Sequence, residues 1–476
     1  MVKVMDRKTG NLLYGWLLLA ISSLIFAGLF AFLIAMSRTP FIQDFIWLKE
    51  FFYKGLVGHV TLAFVIWFLS FMGVLWVLSS GLLTKRITER ASAFNLGWTG
   101  LFCSSLGTLC IIMTTLAGWG SPKLANYVPV LTHPLFYAGL ILFAAGIFLL
   151  LMDILPGIWK GLRDGSADKG ASVMAFGMAI AGLTVLTAIV CFGLAYHSLS
   201  SSGVINFELL FWGGGHILQF TNTISMVVVW IFLLRFTLGI FPLREGLLRV
   251  LLWAYLLCAL PAPLYYFIYD ISTPEYKNSF TRLMEYGIGP PTGILIAAII
   301  MTIAAHRIRK GKLPWKDPMF SSLFLSVLVF SAGGIISLTL EGSNVKIPAH
   351  YHSVIGGVTL AFMGLTYYLL PLINREVYLK KVSKIQPYLY GVGVLIFSLG
   401  LYWAGSHGVP RKTFGPAQNL DTYSKLAGMA LMGIGGIVAI SGGATFVINA
   451  VMSLFMRRSP DKGGERVYAE ELSFDI

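Results

Sequence analysis

Charged side chains are scarce in this sequence. Lys, Arg, Asp and Glu together make up 12% of the 476 residues, whereas 57% of the residues are hydrophobic. A soluble globular domain carries about a quarter charged residues, so this composition excludes an ordinary soluble protein. Cysteine is also rare, and the Cys-x-x-Cys-His sequence that attaches a haem covalently does not occur.

Apolar runs long enough to cross a bilayer occupy most of the chain. A spanning helix needs about 20 apolar residues, and we predict about twelve such helices. Their predicted bounds are 12–36, 57–82, 93–118, 134–155, 171–196, 207–235, 248–270, 280–305, 318–340, 350–373, 387–406 and 423–456. No small-residue cleavage site follows the first run, which we therefore interpret as a span and not as a signal peptide. The sequence predicts an all-α membrane protein.

Basic residues indicate the orientation of these spans. The net charge of +14 is concentrated in alternate loops, namely 85–90, 160–169, 235–249, 307–316, 375–384 and 457–466. Cytoplasmic loops carry an excess of Lys and Arg, so this pattern indicates membrane topology and not nucleic-acid binding. Both termini are predicted to be cytoplasmic. We divide the chain into a single transmembrane domain, residues 1–456, and a cytoplasmic C-terminal tail, residues 457–476.

Four histidines fall in the outer half of the predicted membrane. His350 and His352 begin the tenth run, His59 begins the second, and His216 lies about ten residues into the sixth, after three glycines. Residues i and i+2 of a helix point about 200° apart, so His350 and His352 cannot share one metal but can hold two different cofactors. A polar side chain inside a membrane is costly and indicates function.

Simpler interpretations of these histidines remain open. His59 can be a polar anchor at a helix start, and the three glycines before His216 can mark a tight helix crossing. The remaining histidines fall at loop edges, where we expect interfacial or solvated side chains; they are His133, His197, His306 and His407.

Four short motifs occur in or next to the spans. They are Leu210-Phe211-Trp212-x-x-Gly215-His216, Pro291-Thr292-Gly293, Ala349-His350-Tyr351-His352 and Gly408-Val409-Pro410-Arg411-Lys412. Together with the twelve spans, they resemble the large subunit of the haem–copper oxidase superfamily, which includes oxygen reductases and nitric oxide reductases. The resemblance covers nearly the whole chain and implies a subunit I-like helix bundle in a prokaryotic inner membrane.

The resemblance also implies a role for each histidine. His59 and His352 would be the two axial ligands of a low-spin haem, and His350 would be the single protein ligand of a high-spin haem, both of the b type. His216 would hold a second metal facing the high-spin haem. Arg411 and Lys412 would pair with the haem propionates, which is physically sensible because carboxylates need cationic donors.

The sequence departs from the family at the second metal. The family's usual site has three histidines, but no histidine lies between His216 and His306, and the expected pair falls near Tyr265-Tyr266-Phe267. Either the metal is absent or weakened, or carboxylates complete its site. The candidate ligands, which would favour non-haem iron over copper, are Glu208, Asp270 and Glu285. Glu285 can instead pair with Arg282 or relay protons, and the other two can be solvated.

Two further departures bear on the reaction. The family's tyrosine four residues after the sixth-span histidine is Phe220 here, and its eighth-span lysine is Leu295. Nitric oxide reduction needs neither a phenol radical nor a long proton path, so we predict nitric oxide reductase activity, with His350, His216 and Glu285 as catalytic residues. The alternatives are a terminal oxygen reductase and a non-catalytic haem-binding electron-transfer subunit. A transporter without haem would leave the four histidines unexplained.

The predicted enzyme needs an electron donor, because the chain has no haem c or copper-thiolate motif of its own. We expect a small partner subunit with a cytochrome c or cupredoxin domain, or a quinol, to supply electrons from the outer side. The substrate would be a small gas, and membrane lipid would surround the bundle.

Overall fold

The computed structural model describes residues 5–45, 51–83, 95–165, 168–200 and 205–456. Within these ranges the chain has twelve helical segments long and apolar enough to cross a membrane. We number them α1 to α12: Arg7–Met36, Phe52–Leu83, Asn95–Leu116, Pro134–Asp164, Lys169–Ser200, Phe207–Leu238, Glu245–Ile268, Pro274–Lys310, Pro318–Ser337, Lys346–Leu372, Lys380–Ser406 and Tyr423–Phe455. The predicted all-α architecture is confirmed. The predicted tail, residues 457–476, and the basic loop 85–90 lie outside the described residues.

Side-chain caps and glycines set several helix ends. Asp6 precedes α1 and Asn206 precedes α6, and each carboxyl or amide oxygen accepts hydrogen bonds from two N–H groups of the first turn. These bonds satisfy donors that have no partner inside the helix. At the other end, α6 stops at Gly239 and α8 stops at Gly311, with φ values of 76° and 72°. Only glycine adopts this left-handed conformation without a steric penalty.

Some helices extend well beyond the predicted spans. Segment α8 has 37 residues, whereas the apolar run predicts only 280–305. The added last turns carry Arg307, Arg309 and Lys310, whose long side chains can reach the headgroup region while their stems stay apolar. Hydrophobicity therefore marks the membrane-embedded part of a helix and not its full length.

Two interruptions break the regular helices. In α2, Thr61–Ile66 form a π-helical stretch that begins two residues after His59. In α7, Ala262–Leu264 form a 3-10 turn next to Pro261. Single π-turns occur frequently at functional sites, because they change the direction of neighbouring side chains.

Helices α2, α6 and α10 form the centre of the bundle. Their apolar windows are 83%, 89% and 83% buried, whereas those of the other nine segments are 33–61% buried. All four outer-half histidines belong to these three helices. A short antiparallel pair, β1 (Pro122–Lys123) and β2 (Val130–Leu131), folds the connection between α3 and α4 back on itself.

Glycines bring α11 and α12 into backbone contact. A Cβ added at Gly400 of α11 would lie 2.7 Å from the Gly428 carbonyl oxygen of α12. Small residues at such crossings let two membrane helices approach closely, which increases their van der Waals contact.

We expect Gly400→Ala to separate α11 from α12 and to destabilise the protein by about 1–3 kcal/mol, the usual cost of overpacking. Thermal unfolding in detergent, followed by tryptophan fluorescence, measures the effect. Gly193→Ala in α5 is the matched control, because a Cβ there meets nothing within 4 Å. Equal melting temperatures for the two variants would contradict this packing.

Candidate functional site

Three of the four outer-half histidines share one hydrogen-bond pattern, a bond from Nδ1 to a carbonyl oxygen that the exposed His407 also makes. The Nδ1 atom lies 3.0 Å from the Ala27 carbonyl oxygen in His59, 2.8 Å from Gly333 O in His350 and 2.7 Å from Pro348 O in His352. A carbonyl oxygen only accepts, so Nδ1 carries the proton in each ring and Nε2 keeps its lone pair. No described residue forms a hydrogen bond with any of these three Nε2 atoms. The three atoms are also absent from the set of fully buried side-chain nitrogens and oxygens that have no partner. This tautomer leaves Nε2 able to bind a metal, as in histidine ligands whose other nitrogen donates to a carbonyl.

The two histidines of α10 face different neighbours. His350 bonds the Gly333 carbonyl of α9, whereas the His352 ring lies 4.9 Å from the Phe397 ring of α11. His59 is an electrostatic neighbour of His352. Helices α2 and α10 also contact each other directly, through the stacked rings of Phe71 and Phe362, 4.3 Å apart. The side chains of His350 and His352 therefore point to different neighbours, as the sequence predicted.

Arg38 lies beside this histidine cluster. It follows α1, and its Nη2 donates to the Pro410 carbonyl oxygen at 3.5 Å. Its Nε is buried and has no partner among the described residues. Arg38 and Arg411 are both electrostatic neighbours of Tyr351, which lies between His350 and His352. A buried guanidinium donor without a protein partner can bond a group outside the polypeptide, such as an anion or a water molecule.

The sequence analysis missed Arg38, although a signal was present. The predicted topology places this arginine at the outer end of the first span, where the charge rule disfavours cations. A cation in that position needs a reason of its own.

Lys412 has a different partner from the one predicted. Its backbone has a positive φ of 58°, and its Nζ donates to the Leu124 carbonyl oxygen at 2.5 Å and to Asn126 Oδ1 at 3.2 Å. Burial lowers the pKa of this ammonium, and Arg411 lowers it further. Lys412 thus bonds the α3–α4 connection, whereas Arg411 is an electrostatic neighbour of Tyr351.

His216 differs from the other three histidines because both of its ring nitrogens are bonded. Its Nδ1 lies 2.7 Å from the Trp212 carbonyl oxygen and its Nε2 lies 3.0 Å from the Tyr127 hydroxyl. The side chain is 1% exposed and packs between the Trp212, Tyr127 and Phe280 rings. Burial, together with the Glu208 carboxylate, raises the pKa of Tyr127, so its phenol stays protonated and donates to Nε2.

The three glycines before His216 accommodate aromatic side chains. A Cβ at Gly215 would lie 2.6 Å from Tyr127 Cβ, and one at Gly213 would meet the Tyr266 hydroxyl and the Phe280 ring. Close approach to the backbone is therefore what the glycines allow, but the group that approaches is the protein's own aromatic cluster.

The predicted carboxylate ligands do not gather around His216. Glu208 accepts hydrogen bonds from Asn126 N at 2.9 Å and from Asn126 Nδ2 at 2.6 Å. Asp270 is exposed, and the hydrogen bonds from Ser272 lower the pKa of its carboxyl. Glu285 is exposed on the outer face of α8. These positions correct the prediction of a carboxylate-assisted metal, because each side chain has another partner or points away.

The residues around His216 do not fit a metal ion. Within the described ranges no three His, Cys, Asp or Glu side chains are grouped to hold one. Among the described residues the His216 imidazole already uses both nitrogens, and the rings packed against it are aromatic and offer no strong ligand atom. Tyr127 was also missed by the sequence analysis, because it comes from a loop about ninety residues away in the chain.

Comparison with known proteins agrees with the fold and with the histidine pattern. The sequence profile described as "Cytochrome C and Quinol oxidase polypeptide I" matches residues 11–439. A cryo-EM structure of a haem–copper terminal oxidase dimer superimposes with a TM-score of 0.78 at 18% identity, covering 96% of this chain and 86% of that one. The twelve-helix bundle with inward histidines thus defines a large subunit of the haem–copper oxidase type.

Sequence relatives support the same class. An uncharacterized protein of Aquifex aeolicus is 30% identical over 80% of this chain and 89% of its own length. An uncharacterized protein of Rickettsia prowazekii is 29% identical over 94% of this chain and 96% of its own length. Cytochrome c oxidase subunit 1 of Thermus thermophilus is 24% identical over 89% of this chain and 78% of its own length. The chain belongs to the cytochrome c and quinol oxidase polypeptide I family, a family of multi-pass, haem-dependent respiratory oxidoreductases.

We expect Tyr127→Phe to leave His216 Nε2 buried without a partner. The cost of an unsatisfied buried polar atom is about 1–3 kcal/mol, and it should appear as reduced unfolding free energy in a denaturant titration. Tyr286→Phe is the matched control, because that side chain is 69% exposed on α8. Equal stabilities of the two variants would show that the bond to Tyr127 does not hold His216 in place.

Proposed function

We propose that this subunit holds two haems through His59, His350 and His352 and uses them to reduce a small gas. The observation that carries the proposal is the unbonded Nε2 of each ring, since each Nδ1 is already bonded to a carbonyl oxygen. When bound, the haems would supply electron transfer and an open iron position for the gas. The chain's own part is to fix the tautomer and the direction of the three imidazoles.

We assign His59 and His352 to a low-spin b-type haem and His350 to a high-spin b-type haem. Support for the first assignment is the proximity of His59 to His352, on two helices in direct contact. Support for the second is that His350 turns away toward α9. Two imidazoles close both axial positions of an iron, which suits electron transfer, whereas one imidazole leaves a position open.

Arg38 and Arg411 supply the positive charge that haem carboxylates require. The unpartnered Nε of Arg38 is the clearest fit, because a bound carboxylate would satisfy it. Arginine suits this role better than lysine, since its planar donors match a carboxylate in two-point contact. Lys412 is not needed for this contact and instead holds Leu124 and Asn126.

We propose nitric oxide as the gas. Joining two molecules to nitrous oxide and water consumes two electrons and two protons, and it needs no phenol radical. The supporting residues are Phe220 and Leu295, both buried and apolar where an oxygen reductase of the family would have polar groups. A carboxylate-bound iron is not part of this proposal, because Glu208, Asp270 and Glu285 do not meet at His216.

A non-catalytic haem-binding electron-transfer subunit is the second candidate. One observation favours it: the Tyr127 hydroxyl fills the nitrogen of His216 that a second metal would need. Oxygen reduction is the third hypothesis, and the gas assay below separates all three.

We further propose a bacterial inner-membrane location, with electrons entering from the outer side. The donor would be a small subunit with a cytochrome c or cupredoxin domain, or a quinol. The position of the His59 and His352 pair near the outer helix ends, where such a donor would dock, supports this entry side.

The haem assignment predicts two haems per chain by the pyridine-haemochrome assay. His59→Ala and His352→Ala should each abolish the low-spin optical spectrum and retain the high-spin one, because only one iron loses an axial imidazole. His350→Ala should do the reverse. His407→Ala, at an exposed helix end, is the control and should keep both spectra. A high-spin spectrum that survives His350→Ala would overturn the assignment.

The substrate assignment is tested with the purified complex and an artificial electron donor. We expect steady nitric oxide consumption with nitrous oxide as the product, and oxygen consumption at least tenfold slower. Fast oxygen consumption would favour the oxidase hypothesis, and haem reduction with neither gas consumed would favour the electron-transfer subunit.

A further inference from the structure

A cleft lies at the end of the bundle opposite the histidines. Its volume is about 520 Å³, and it separates the start of α9 from the start of α11. The residues that line it are Trp315, Lys316, Lys381, Lys384, Ile385 and Tyr388. None of them takes part in the proposed haem chemistry.

The charge of the cleft has one sign. Three of its six lining residues are lysines and none is acidic. Two carboxyl groups close by in the sequence have partners of their own: Asp317 accepts from Met319 N at 2.8 Å, and Glu376 pairs with Lys380 at 3.7 Å. Lysines without a matching carboxylate in the lining give this region a positive field, which attracts an anion.

The remaining lining residues form an apolar wall. Trp315 packs against the rings of Phe320 and Phe324, with centroid distances of 5.2 and 5.0 Å. The Tyr388 hydroxyl donates to the Trp315 carbonyl oxygen at 2.8 Å, which ties the wall to α11. Ile385 is 58% exposed. A wall of this kind beside three cations suits a ligand with an anionic head and an apolar body.

The position of the cleft matches a membrane interface. Tryptophan and tyrosine concentrate where helices leave the hydrocarbon core, and lysine-rich loops lie on the cytoplasmic side. Helix α9 begins at the cleft with Asp317 as its cap, whereas the regular part of α11, Gln386–Ser406, begins there without a side-chain cap. A helix N-terminus carries partial positive charge, so the uncapped end of α11 adds to the field of the lysines.

We propose that this cleft binds the phosphate headgroup of an anionic phospholipid from the cytoplasmic leaflet. Lys316, Lys381 and Lys384 contact the headgroup, and the acyl chains lie along the apolar wall formed by Trp315 and Ile385. Basic clefts between helices on this side of a membrane are suited to such lipids. A site of this kind would fix the α8–α9 and α10–α11 connections relative to the bilayer.

The test is native mass spectrometry of the delipidated full-length protein, titrated with phosphatidylglycerol or phosphatidylcholine. The wild type should bind phosphatidylglycerol at least tenfold more tightly than phosphatidylcholine. The triple variant Lys316→Gln, Lys381→Gln, Lys384→Gln should lose that preference. Its haem spectrum should match the wild type, which shows that the variant folds.

The matched control is the double variant Lys169→Gln, Arg244→Gln. It removes two cations from a second cleft with the same membrane-end character, in which Glu245 is already present. This control should keep the wild-type lipid preference. Equal phosphatidylglycerol binding by the triple variant would overturn the proposal. Displacement of the lipid by millimolar inorganic phosphate would also overturn it, because the site would then recognise free phosphate.

Discussion

The hydrogen bond from a histidine Nδ1 to a backbone carbonyl is the interaction on which this account depends. It occurs at His59, His350 and His352, and each carbonyl belongs to a helix of the bundle. The bond occupies one nitrogen of each ring and leaves the other without a hydrogen bond to any described residue. Without it, three imidazoles in a membrane interior would be costly groups of undefined orientation.

The same geometry explains why His216 is different. It lies in the most buried helix of the bundle, yet its Nε2 accepts from Tyr127 and its Nδ1 faces Trp212. The network of Lys412, Asn126 and Glu208 holds the loop that carries Tyr127. In a family whose oxidases pair a haem with a second metal, this chain has a phenol on the one imidazole that remains. On the proposed assignment the haem ligands of the centre are present, whereas the residues around His216 are aromatic.

The twelve spans could be predicted from the sequence, because hydrophobic length is a local property. The helix ends were harder to predict, because α8 continues through Arg307 and Lys310, whose long side chains can reach the membrane headgroup region. Glu285 shows a second limit. A single apolar run does not indicate which face of its helix meets the core, so a carboxyl group predicted to be inside lies exposed. Tyr127 and Arg38 show a third limit of sequence-based prediction. Only tertiary packing brings Tyr127 to His216 and Arg38 to His352.

The positions of bound iron test the central claim most directly. An anomalous difference map at the iron absorption edge, from crystals of the purified protein, would give these positions without reference to activity. The account predicts two peaks, one between the Nε2 atoms of His59 and His352 and one beside His350 Nε2, with none at His216. A metal peak on His216, or the lack of one at His350, would contradict it.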